Sequence, residues 1–206
     1  MPRKAKAEAE KTRARIMASA LALFAKKGYE RTTFTDIAAR LKMTKGAVYW
    51  HFASKERLLV ALVDEMLAKF ERQIAENMPR GGLTFPAVAA MMVENARRVT
   101  REARGREFFM LMKTQVRWGA ASMARVREEL LTKRTSSPYH AFCQAVANDQ
   151  REGRVRAEVD GEEIASVCLA IWDGLVQSKI DGFLKQDVAE TLHHAYEATW
   201  KAIAAS

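Results

Sequence analysis

The chain has 206 residues, 49% of them hydrophobic, so it can bury a core and is not a disordered tail. No apolar run approaches the roughly 20 residues that span a bilayer, and the N-terminal MPRKAKAEAEKTRAR lacks the apolar stretch of a secretory signal. The net charge of +9 is confined to residues 1–60, with 14 Lys/Arg against 5 Asp/Glu, while the remainder balances at 20 each. A basic segment on a neutral one implies a polyanion-binding head joined to a body with another task, although a merely solvated basic terminus has the same composition.

Apolar residues recur at helical spacing throughout, and no period-two run is bounded by turn residues, so an all-α chain of about nine helices without sheet is expected. The first helix is placed at Glu8–Lys27, with Ile16, Ala20, Leu23 and Phe24 on one stripe and Gly28 as its stop. Thr33 is positioned to N-cap a second helix, with Asp36 in the capping-box position and Ile37, Ala38 and Leu41 inward. Thr44 caps a third, running through His51, whose buried side is Val48 and Phe52. Two short helices so briefly joined and packed on a longer one make a helix-turn-helix, a three-helix head over 1–53 that includes the basic arm. Ser54 then opens a helix to Met78 that Pro79-Arg80-Gly81-Gly82 ends. Further helices are placed near 84–101, 105–118, 122–152, 161–184 and 187–204, giving a helical body over 54–206.

On the third helix Val48 must face inward, which turns Lys45, Tyr49 and part of Trp50 outward. Gly46 and Ala47 are small enough to let the backbone approach DNA. A helix entering the major groove by its N-terminus can present Lys45 to guanine acceptors. Tyr49, His51, Lys55, Thr33 and Thr35 can donate to phosphates, and Arg3, Lys4 and Lys6 suit non-specific attraction or a minor-groove visit. Each has a plainer reading: Tyr49 and Trp50 can cover a seam between head and body, and His51 can bond to a carbonyl.

The run ALALFAKKGYERTTFTDIAARLKMTKGAVYWHFASKERLL resembles the head of the TetR (tetracycline-repressor) family. The resemblance rests on Phe24 and Gly28, on Thr33, Ile37 and Ala38, on Gly46, Tyr49, His51 and Phe52, and on Lys55 at its spacing. It covers residues from about 12 to 64, roughly a quarter of the chain. The family often has Gly at the turn between the two short helices, where this chain has Lys42; a positive φ there would carry a modest strain. The resemblance implies a homodimer on a palindromic double-stranded DNA operator near the genes it represses, released when a ligand enters the body. The body varies too widely in the family for its sites to be carried over.

Ile164, Val167, Cys168, Ile171, Leu175 and Val176 make an apolar stripe on 161–184, and Val188, Leu192, Ala195, Tyr196, Thr199, Trp200 and Ile203 make another on 187–204. Such a pair wants more cover than one chain easily supplies, so a homodimer through the last two helices is expected, with an ordinary intrachain core as the other reading. The middle helices are rich in Met and aromatic residues, which suits a small hydrophobic, aromatic effector as well as it suits plain core. The residues expected to line its pocket are Met66, Phe70, Asn95, Phe109, Met112, Gln115, Phe142, Trp172, Asp173 and Val176. A ligand among Met66, Phe70, Phe109, Met112 and Trp172 would touch the helix joining head to body. It would thereby disturb the recognition-helix spacing of about 34–36 Å that successive major grooves require.

Catalysis is not expected. His51, His140, His193 and His194 are the histidines, and His140 with Cys143 makes at most half a metal site. No Gly-rich phosphate loop, GxSxG or HExxH occurs, and neither cofactor nor metal is expected. Cys143 and Cys168, without a CxxC pair or export signal, read as reduced residues of a cytoplasmic protein. The alternative to a ligand sensor is a helix-turn-helix regulator controlled by a protein partner or without a small ligand; a well-formed cavity in the body would favour the sensor.

Overall fold

The computed structural model describes the backbone of residues 2–77, 82–132 and 137–205, and their side chains except at 2–4 and 77. The side chains of Arg3 and Lys4 and the turn at 79–81 therefore lie outside the described residues. Ten α-helices occur among the described residues. They are α1 (Pro2–Lys27), α2 (Phe34–Leu41), α3 (Lys45–His51), α4 (Lys55–Asn77), α5 (Phe85–Arg101), α6 (Ala103–Met110), α7 (Ala124–Thr132), α8 (Pro138–Arg151), α9 (Gly161–Ile180) and α10 (Val188–Ile203). α6 runs on into a π-helical turn, Leu111–Gln115, and a 3₁₀ turn, Ala121–Met123, precedes α7. No strand occurs among the described residues; Val155 and Ala204 form an isolated bridge.

The helix ends follow local chemistry. Gly28, at φ 93°, closes α1 by donating to Phe24 O at 3.0 Å. Thr33 and Asp36 form the reciprocal capping box of α2. Lys42 ends α2 in the left-handed region, φ 55° and ψ 44°, where a side chain costs about 1 kcal/mol over glycine. The single helix expected over 122–152 is instead two: Ser137 accepts from His140 N and Pro138 occupies the first turn of α8. Proline has no amide hydrogen for a preceding turn and crowds the carbonyl four residues back, so a helix can begin there but not pass through. α9 stops at Ile180 and not at 184, because Asp181, Gly182, Phe183 and Leu184 bond back to carbonyls of Gln177, Ser178 and Lys179.

The chain divides into two compact units, one formed by residues up to Met66 with Ala103–Leu130, the other by Leu67–Glu102 with Leu131 onward. The first unit's core gathers Ile16, Leu21 and Phe24 of α1, Ile37 of α2, Val48 of α3, and Leu58, Leu59 and Leu62 of α4. Leu111, Val116, Met123 and Val126 complete it, so residues 103–130 share the core of the helix-turn-helix. Two ion pairs span the same seam, Arg57 with Glu129 at 2.9 Å and Arg104 with Glu65 at 2.7 Å. Both are largely solvated, and the buried apolar side chains carry most of the attachment.

The second unit packs α5 against α8, α9 and α10. Phe85, Phe142, Tyr196 and Trp200 form its aromatic centre, with Phe85 stacked on Trp200 at 5.8 Å and 5.5 Å from Phe142. Among the described residues, the buried polar side chains of this unit are satisfied. Trp172 Nε1 donates to Met92 O at 3.0 Å and Tyr196 Oη to Cys168 O at 3.2 Å. Fully buried Asp149 accepts from Phe85 N at 2.7 Å and Arg154 Nε at 2.8 Å, joining the end of α8 to the start of α5.

Candidate nucleic-acid interface

The arrangement of α2 and α3 follows from the caps at their starts. Thr44 Oγ1 accepts from Ala47 N at 3.1 Å, which starts α3 and fixes its rotation about Val48, fully buried beneath. Lys45 and Gly46 are consequently exposed, Ala47 is half-buried, and Tyr49 and Trp50 are 49% and 74% exposed. An exposed tryptophan next to an exposed tyrosine is unusual for a surface with no partner. Tyr49 is held edge-on to Phe34 at 4.9 Å, and Lys45 Nζ lies 5.6 Å from the Tyr49 ring centre. A methyl at Gly46 would meet only Thr44 Oγ1, at 3.9 Å, so nothing within the chain demands glycine there.

Five of the nine expected DNA-facing residues, Thr33, Thr35, Lys45, Tyr49 and Lys55, line one concavity of about 440 Å³. Two of these are committed to the fold. Thr33 spends its hydroxyl on the capping box, accepting from Asp36 N at 3.2 Å and donating to Asp36 Oδ2 at 2.6 Å. Lys55 Nζ donates to Tyr29 O, Glu30 O and Thr32 O at 2.9, 3.1 and 3.3 Å, so the ammonium expected to reach a phosphate is bonded to backbone carbonyls. Gly46, Ala47, Trp50 and His51 are not among the concavity's lining residues. Trp50 and His51 make an edge contact at 4.6 Å. His51 is half-buried, and burial, with a smaller contribution from the charge of Arg13, lowers its pKa from 6.5. The imidazole is therefore mainly neutral at pH 7.

Two contacts of the helix-turn-helix escape a local reading of the sequence. Lys27 bonds Asp36 at 2.6 Å; that contact, with the hydrogen bonds from Thr33, holds the Asp36 carboxyl well below the usual carboxylate range. Arg13 lies over the Phe52 ring at 4.7 Å. A lysine in the last turn of α1 was the available signal for the first; nothing in the spacing announced the second.

The ten residues expected to line a ligand pocket divide between the units. Met66, Phe109, Met112 and Gln115 belong to the first, where Phe109 is buried and the other three are half-buried. Phe70, Asn95, Phe142, Trp172, Asp173 and Val176 belong to the second. There Phe142 and Val176 are fully buried, Phe142 inside the aromatic centre, and Asn95 and Asp173 are half-buried. The second unit also has a groove of about 330 Å³ lined by Gln73, Ala87, Ala90, Met91, Glu94 and Arg98, none of them in the expected set. Among the described residues no group of three or more His, Cys, Asp or Glu is placed to hold a metal ion. Cys143 Sγ lies 3.7 Å from Gly161 O, and burial, with the charge of Glu162, raises its thiol. No described helix is long and apolar enough to cross a membrane.

A profile for bacterial regulatory proteins of the tetR family matches residues 16–62. The HTH-type transcriptional regulator TtgR of Pseudomonas putida is 30% identical over 183 residues, which cover 86% of this chain and 84% of that protein. The probable acrEF/envCD operon repressor of Escherichia coli is 47% identical over 58 residues, 28% of this chain and 26% of its own. Among solved structures, the SmeT–triclosan complex shares the fold with a TM-score of 0.79 at 23% identity, over 95% of this chain and 92% of its own.

Proposed function

The chain belongs to the tetR family of bacterial regulatory proteins, and on that premise we propose that it is a ligand-responsive transcriptional repressor acting in the cytoplasm as a homodimer on a palindromic operator. The observation that carries this reading is α3. It turns Lys45, Gly46, Tyr49 and Trp50 outward from a buried Val48, within the segment that holds the whole +9 charge. Lys45 supplies a donor for guanine acceptors, Thr35 and Tyr49 supply hydroxyls for phosphates, and the bare Gly46 lets the helix axis sit close to the base edges.

The homodimer is supported by α9 more than by α10. The apolar stripe of α10 is consumed by its own unit: Val188, Leu192, Tyr196 and Ile203 are buried and Trp200 is stacked on Phe85. α9 buries Ala165, Cys168, Trp172 and Val176 and has a second apolar face left over, with Val167 43% exposed, Ile171 and Leu175 half-buried, and open space beside Gly174. A second copy of that face, related by a two-fold axis, is the natural cover.

The effector we assign is a small, largely apolar aromatic compound. The support is the Met- and aromatic-rich middle of the chain, together with relatives of the SmeT kind, described as the repressor of the Stenotrophomonas maltophilia multidrug efflux pump SmeDEF and solved with triclosan. α4 begins in the first unit and ends in the second, so a displacement of its C-terminal half has a covalent route to the helix-turn-helix. Linkage demands that an effector which weakens operator binding by some factor bind the DNA-free form more tightly by the same factor; a coupling of about 1–3 kcal/mol gives roughly 5- to 150-fold release. The test is fluorescence anisotropy on the DNA flanking the gene, with and without triclosan, beside calorimetric binding of triclosan to the free protein. Loss of operator affinity on saturation supports the reading. Tight triclosan binding that leaves operator affinity unchanged removes this compound class as effector while the DNA-binding role stands.

A further inference from the structure

The Lys55 side chain has its three protons and three acceptors. An ammonium donates three hydrogen bonds and accepts none, and here the carbonyls of Tyr29, Glu30 and Thr32 stand 2.9, 3.1 and 3.3 Å from Nζ. The Tyr29 ring, itself 1% exposed, adds a π face 4.5 Å from the same nitrogen. These carbonyls belong to the turn between α1 and α2, outside either helix, and that of Tyr29 also accepts from Thr32 N at 3.3 Å. Thr32 Oγ1 ties the same turn to Gly28 O at 2.8 Å, and the next residue, Thr33, is the cap that starts α2. We propose that Lys55 is a positioning residue: it fastens the start of α4 to the α1–α2 turn and so sets where α2 begins. The proposal rests on the DNA-binding reading for its functional consequence, but not for the clamp itself.

The geometry separates lysine from arginine. Three oxygens around one nitrogen suit a compact ammonium, whereas a guanidinium spreads five donors across a plane and cannot converge on them. A phosphate contact behaves in the opposite way, since arginine serves a phosphate at least as well as lysine. Lys55→Arg keeps the charge and loses the clamp, and Lys55→Met loses both.

The experiment measures operator affinity over a salt series, and amide hydrogen exchange of residues 28–36 in the free protein, for wild type, K55R and K55M. The expected result is faster exchange over 28–36 in both variants and an operator affinity lowered roughly tenfold even in K55R, which keeps the charge. The proposal is overturned if K55R binds as wild type while K55M loses about 0.9 of salt slope for each phosphate contact removed. It is equally overturned if exchange over 28–36 is unchanged in both variants. Wild type that fails to bind duplex DNA at all defeats the DNA-binding reading, and the exchange measurement still decides the clamp.

Discussion

α3 and α9 both hold apolar side chains away from their own cores, and the surroundings of the two exposures differ. On α3, Tyr49 and Trp50 stand out from a segment carrying a net charge of +9, next to Lys45 and a glycine that nothing in the chain requires. On α9, Val167, Ile171 and Leu175 are set among Ala170 and Gly174, in a part of the chain where acidic and basic residues balance. An exposed aromatic in a cationic field fits a polyanion with flat, partly apolar base edges. An exposed aliphatic face in a neutral field fits another aliphatic face. The difference teaches that exposure alone does not name a partner; the charge around it does.

The comparison breaks most sharply at α9. Leu175→Glu places a charge in the proposed self-association face without touching the buried side of the helix. We expect monomers by light scattering at micromolar concentration and operator affinity reduced to the non-specific level, at least roughly a thousandfold weaker. Retained dimers with full affinity would remove α9 from the interface. Trp200→Glu is a poorer probe than its sequence position suggests, because Trp200 stacks on Phe85 and its loss damages the unit's own aromatic centre.

At α3 the next largest effect is expected from Lys45→Ala, about 1–3 kcal/mol of operator affinity with relaxed preference at one base position. A uniform loss over all sequences would make Lys45 a backbone contact. Gly46→Ala should act with opposite signs on two readouts. Replacing a glycine inside a helix stabilises the free protein by roughly 0.5–1 kcal/mol, since the added methyl meets only Thr44 Oγ1 at 3.9 Å. The same methyl stands between the helix and DNA, so operator binding should weaken. Thermal melts and anisotropy on one sample check both; tighter binding would contradict a close approach at this point.

The smallest expected effect concerns His51. Its folded pKa is lowered, so the unfolded chain binds the proton more readily, and the His51 contribution to stability is complete above pH 6.5 and is lost as pH falls toward the folded value. A phosphate beside the imidazole favours the charged form, so operator binding should tighten over the same fall in pH. The change is a few-fold at most. His51→Gln should flatten both trends, as read by melts and anisotropy between pH 7.5 and 5.5; an unchanged pH dependence of binding would place His51 away from the phosphates.

What could be read from the sequence was what is written within a few residues. The Thr33–Asp36 capping box, the Thr44 cap and the inward Val48 are all three- and four-residue relations, and they settle which side of α3 faces out. The Ser137–Pro138 pair was equally local, but the apolar periodicity on either side of it masked the break. Long-range relations were not legible. Lys55 is a cation at the right spacing for a phosphate, and only the fold brings it to carbonyls 23 to 26 residues earlier. The allegiance of Leu111, Val116, Met123 and Val126 to the helix-turn-helix core is a matter of packing between segments far apart in the chain, which no periodicity records. The ten expected pocket residues were chosen for softness and aromaticity, properties shared by plain core, and Phe142 and Trp172 prove to be buried in their own unit's packing.

The central claim is that the first unit binds duplex DNA through its cationic face, and the salt dependence of that binding tests it most directly. Fluorescence anisotropy on the DNA flanking the gene, from 50 to 200 mM salt, should give a linear fall of log affinity with log salt. A slope of about −0.9 for each phosphate engaged is expected, amounting to several units for a dimer. An affinity that does not change across the series would contradict the account, because a segment carrying the protein's whole excess of positive charge cannot bind a polyanion without releasing its counterions.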